Sequence, residues 1–246
     1  MRQVYSMPTP ALQALIIILE FSCVALALTL FYLFFKIYKT KGSIFLLGLP
    51  IGFFFLMSSY FFLSAHLVDS VFQSVNTLSS SIMWLRVITQ TIGFVLIASS
   101  YVFASRYQHT TKQNYLVILS GSTALMLIAF GILFVSNPSG ISSIYSYINL
   151  FVIVNLALLS YIIIFLTRKL MLANRKGSAL ISGVVAFASL WIGQFSFLVW
   201  ALANGGSVAL VGSQVARVVS FAIFIRIYYV SSKESSTDAV EQAKQS

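Results

Sequence analysis

Glu20 and Arg217 are the side chains best placed to do chemistry in this sequence. Each is embedded in a long apolar run, Glu20 in "LIIILEFSCVALAL" and Arg217 in "SQVARVVSFAIFIR". A charge at mid-membrane costs about 2.5–3.5 kcal/mol on insertion scales, so an unpaired one is hard to tolerate. Glu20 is the one acidic residue inside the apolar runs, and Arg217 the one basic residue near the middle of such a run. The two are expected to form an intramembrane ion pair. A guanidinium suits that task because its planar fork can hold a carboxylate by two hydrogen bonds.

Further polar residues fall at a similar depth. Gln90, Asn155 and Gln194 lie near the middle of three other runs, and Ser58, Ser59 and Tyr60 near the middle of a fourth. Lipid cannot satisfy such groups, so they are expected to face inward and pair. Helical spacing agrees: Ser213, Gln214, Arg217 and Ser220 share one face, as do Arg86, Thr89, Gln90 and Gly93. Trp191 is one turn from Gln194 and is expected either to flank the layer as a pocket wall or to fill the bundle. The plain alternative for each amide is helix packing, where an intramembrane hydrogen bond contributes about 0.6 kcal/mol. For Arg86, nearer the outer end of its run, the alternative is snorkelling to the surface.

Catalytic and metal chemistry find little support. Serines are plentiful, but no histidine lies mid-run to activate one, and Asp69 falls in a loop. His66 and His109 are on opposite sides in depth, so they offer no metal or haem pair. No enzyme activity, metal or cofactor is expected.

The elements that must carry these residues follow from composition. The chain has 246 residues, 59% hydrophobic and 8% charged, far below the roughly 25% charged residues of ordinary globular chains. A helix needs about 20 apolar residues to cross the hydrocarbon core. Seven runs qualify: about 11–36, 43–66, 82–104, 114–135, 144–167, 178–203 and 207–230. They predict an all-α, seven-transmembrane-helix bundle over residues 1–230 in a cell membrane. The N-terminal run is longer than a signal-peptide core and is read as a retained span. Residues 231–246 are polar and predict a mobile cytoplasmic tail. The single cysteine, Cys23, excludes an internal disulfide.

Charge sets the direction. Lys36, Lys39 and Lys41 border the first loop, Arg106 and Lys112 the third, and Arg168, Lys169, Arg175 and Lys176 the fifth. The loops at 67–81, 136–143 and 204–206 hold no Lys or Arg. The positive-inside rule then places the N-terminus outside and the C-terminus in the cytoplasm. The net charge of +10 is thereby read as membrane orientation, not nucleic-acid binding.

Several residues resemble the microbial rhodopsins. "LGLPIGFFFLMSS" puts Pro50 early in the second span, "MWLR" puts Trp84 and Arg86 at the start of the third, and Trp191 is similar to that family's retinal-contacting tryptophan. Arg217 stands where the family carries its retinal lysine. The resemblance implies a seven-helix fold with a central ligand site. It also implies the loss of covalent retinal, since the seventh span has no lysine, and the two counter-ion positions fall on Thr89 and Ser213.

The expected function is an integral membrane sensor or binding module. Its ligand site would draw on Glu20, Arg86, Thr89, Gln90, Asn155, Trp191, Gln194, Ser213, Gln214 and Arg217. Expected partners are the lipid bilayer and a membrane or cytoplasmic signalling protein, or a further copy of the chain. A transporter or channel, or a structural subunit of a membrane complex, are the competing readings.

Overall fold

A computed structural model describes residues 10–72, 77–105, 141–172, 178–202 and 207–245, with scattered residues between 113 and 131. Every long element is a helix: α1 (Pro10–Lys41), α2 (Gly48–Phe72), α3 (Thr77–Ser105), α4 (Ile141–Leu172), α5 (Ser178–Leu202) and α6 (Ser207–Gln245). No strand occurs among the described residues. Those within 113–131, where the fourth span is predicted, are helical at each described position. His109 and the loop residues Arg106, Lys112, Arg175 and Lys176 lie outside the described residues.

α1, α3, α4 and α6 exceed the predicted runs because polar ends extend the apolar centres, whereas α5 ends at Leu202 and α2 begins only at Gly48, after the predicted start at 43. The end of α1 shows how the chain turns. Gly42 takes φ 61°, a left-handed conformation open to glycine, and its N–H caps the Tyr38 carbonyl at 2.9 Å. A 3₁₀ turn at Ile44–Leu46 leads directly into α2, whose first turn accepts Pro50.

Among the described residues, five helices are long and apolar enough to cross a membrane: Ala11–Thr40, Gly48–Val68, Ile148–Met171, Leu180–Leu202 and Val208–Val230. Within its apolar run α3 carries Arg86, Thr89, Gln90 and Thr91. The chain is therefore an all-helical protein of multi-pass membrane type. Where sequence predicts a mobile tail, the α6 backbone continues as helix to Gln245.

Side chains sort as lipid immersion requires. Along α1, Glu20, Cys23, Ala27 and Leu30 are buried, while Ile18, Phe21, Leu28 and Tyr32 are exposed. The same inversion holds in α6, with Gln214, Arg217 and Ser220 inside and Val215 and Val219 outside. In water this pattern would be costly; in hydrocarbon the apolar face needs no cover, and the polar groups do.

The six long helices close into a ring in chain order, with α6 returning to pack on α1. Tyr115 and Leu119, from the 113–131 stretch, pack on Ile92 and Leu96 of α3. The α2–α3 contact is close because Gly52 and Gly93 meet: a Cβ on Gly93 would lie 2.9 Å from the Gly52 carbonyl oxygen. Two apolar clusters fill the ring. The larger includes Ala27, Phe53, Phe94, Ile162, Phe187 and Phe224. The smaller includes Trp84, Val87, Ile148, Val152 and Phe197.

Candidate functional site

Between the two clusters lies a polar layer. Along α4, Asn155 falls between Val152 of the smaller cluster and Leu159 of the larger. Along α5, Gln194 falls between Leu190 of the larger and Phe197 of the smaller. The regular rise of about 1.5 Å per residue therefore brings side chains from different helices to one level. Glu20, Arg86, Gln90, Asn155, Gln194, Ser213, Gln214 and Arg217 are all buried there.

The first and last helices supply the expected ion pair. Arg217 Nη1 lies 3.5 Å from Glu20 Oε1, and both side chains are fully buried. The same Nη1 donates to Gln214 Oε1 at 3.0 Å, one turn back along α6. The contact with Glu20 is thus a charge pair beyond good hydrogen-bond distance. Gly193 of α5 makes room beside it: a Cβ there would lie 3.2 Å from Arg217 Cγ and 3.0 Å from the Ser213 carbonyl oxygen.

Arg86 does not snorkel. It is 1% exposed, and its guanidinium carbon lies 4.4 Å from the centroid of the Phe197 ring. The Arg217 guanidinium is 5.8 Å from that same ring and 5.4 Å from the ring of Tyr60. Two like charges thus share one aromatic platform, which supplies cation–π attraction where lipid would supply nothing. Ser59 anchors α2 to this level by donating to the Arg86 carbonyl at 3.0 Å. Ser220 ties α6 to α5 by donating to the Ala186 carbonyl at 2.7 Å.

Two expected site residues stand apart. Trp191 donates from Nε1 to Ser160 Oγ of α4 at 2.9 Å and stacks on the outward-facing Phe195 at 5.3 Å. It secures the α4–α5 contact and packs on the larger apolar cluster. Thr89 is half-buried and bonds back to the Leu85 and Arg86 carbonyls of its own helix. Phe197 is the residue that sequence reading omits. It carries no polar or spacing signal, and its role follows only from two arginines converging on it.

The layer is rich in polar atoms without hydrogen-bond partners among the described residues. They include both Glu20 carboxylate oxygens, Nε and Nη2 of both Arg86 and Arg217, Gln90 Nε2, both polar atoms of Asn155 and of Gln194, Ser213 Oγ, Gln214 Nε2 and the Tyr60 hydroxyl. Among the described residues no cluster of His, Cys, Asp and Glu could hold a metal ion. Chemically, then, the layer offers hydrogen bonds and charge. No family model, curated protein or solved structure matches the chain.

Proposed function

We propose that the chain is a membrane binding module of rhodopsin-like seven-helix architecture without covalent retinal, and that the polar layer holds its ligand. In this reading the segment around 113–131 supplies the remaining helix, the N-terminus is outside and the C-terminus cytoplasmic.

The observation that carries it is the set of unpartnered buried polar atoms, contributed by helices all round the ring. Polar groups that serve only packing satisfy one another, since each unmet buried group costs about 1–3 kcal/mol. A polar ligand offsets that cost. α6 supports a signalling role, because one continuous helix carries both Arg217 and the polar extension beyond Val230. A shift at Arg217 has a rigid path to a partner on that side.

The test replaces amides by apolar isosteres. Asn155→Leu and Gln194→Met should leave thermal stability in detergent unchanged or raise it, as is usual for functional polar groups in a core. The same variants should lose the stabilisation that a ligand panel gives the parent protein. A loss of about 2 kcal/mol or more in either variant, with no ligand effect in the parent, would assign the layer to packing. Orientation is tested by single cysteines at Ser6 and Ser235 in a Cys23→Ala background. The first should react with an impermeant thiol reagent outside the cell, the second only after lysis.

A further inference from the structure

We propose that the polar layer takes a carboxylate, seated on Arg86. This inference rests on the ligand-binding reading above and names the chemical class of the ligand.

Charge comes first. Arg217 is matched by Glu20 at 3.5 Å, whereas Arg86 has no acid within 4 Å among the described residues. Guanidinium groups stay protonated in proteins, so the layer carries one more positive charge than its carboxylate can cancel. The chain has only four other acidic residues. Asp69 is on α2 with Ser59, which bonds the Arg86 carbonyl; from Ser59 to Asp69 the helix rises about 15 Å. Glu234, Asp238 and Glu241 lie in the extension of α6, still further away. Phe197 eases the charge of Arg86 without cancelling it.

Geometry then selects the type of anion. Both Nε and Nη2 of Arg86 are unpartnered. Their N–H bonds point the same way, and together they form the fork that holds two carboxylate oxygens in parallel. Gln90 is one turn along the same face of α3, and its buried Nε2 makes no hydrogen bond within 3.5 Å, the Tyr60 hydroxyl being its neighbour. Arg86 and Gln90 thus present three donors on one face. A spherical ion would use the charge but not the fork. The carboxylate can belong to a small free acid or to the head of an amphiphile entering from lipid.

The test is thermal unfolding of the full chain in a non-ionic detergent at constant ionic strength. The probes are sodium acetate, sodium octanoate below its micelle-forming concentration, octanamide and sodium chloride. Octanoate or acetate should raise Tm saturably, by about 3 °C or more. Acetate acting as well as octanoate identifies a small acid; octanoate acting alone identifies an amphiphile. Gln90→Leu, which keeps every charge, should weaken the effect several-fold, and Arg86→Gln should abolish it. Equal shifts from octanoate and octanamide would overturn the inference while leaving a ligand site in place. A chloride shift equal to that of acetate would overturn it too, as would no shift with either carboxylate. The comparison among probes uses the parent protein, so it stands even where Arg86→Gln fails to fold.

Discussion

Arg217 of the last long helix reaches across a buried interface to Glu20 of the first, 3.5 Å away. Lipid offers no alternative partner to either group. Removing one charge should therefore cost more than removing both. Glu20→Gln alone is expected to lower stability by about 3–5 kcal/mol, because it leaves Arg217 buried and unmatched. The exchange Glu20→Arg with Arg217→Glu should recover part of that loss. Yield and unfolding temperature in detergent measure it; equal behaviour of both single variants and the exchange would remove the pair as a determinant of stability.

Phe197 lies against two guanidiniums, at 4.4 Å from Arg86 and 5.8 Å from Arg217. Phe197→Leu keeps the residue apolar but deletes the π face. Its cost should depend on the charge above it. In a double-mutant cycle with Arg86→Met, a coupling of about 1–2 kcal/mol is expected. Additive effects in that cycle would reduce Phe197 to filler.

Glycines at two sites should respond with opposite sign. A Cβ on Gly93 would meet the Gly52 carbonyl oxygen at 2.9 Å and Leu56 Cγ at 3.0 Å, so Gly93→Ala must push α2 from α3. The expected loss is about 1–3 kcal/mol. Gly212 has open space around its Cβ position, and Gly212→Ala should gain about 0.4–1 kcal/mol from reduced chain entropy. Thermal unfolding of the two variants side by side is the measurement.

The interhelical hydroxyl bonds from Ser59 to the Arg86 carbonyl and from Ser220 to the Ala186 carbonyl are buried. Even so, Ser59→Ala and Ser220→Ala should each cost only about 0.6 kcal/mol, the usual size of such bonds in membrane proteins. Denaturation in mixed micelles resolves that difference. A loss several times larger at Ser59 would mean that its bond sets the position of Arg86.

Much of this architecture was legible from residue order alone. Scarce charge and long apolar runs dictate helices that cross a membrane, since only a helix satisfies its own backbone there. Constant helical rise turns sequence position into depth, which is why Glu20, Gln90, Asn155, Gln194 and Arg217 can be assigned to one level before any packing is known. Helical period likewise separates the inner face of α6, at Gln214, Arg217 and Ser220, from its outer face.

Depth is not azimuth, however, and only the packed ring decides which groups at one level meet. Closure of α6 onto α1 made the Glu20–Arg217 pair possible. The rotation of α5 turned the Trp191 N–H toward Ser160 and left Phe197 under both arginines. The setting of α3 buried Arg86, which its position near the outer end of the apolar run would have allowed to reach the surface. Each of these depends on neighbours distant in the chain, through contacts that no local pattern encodes.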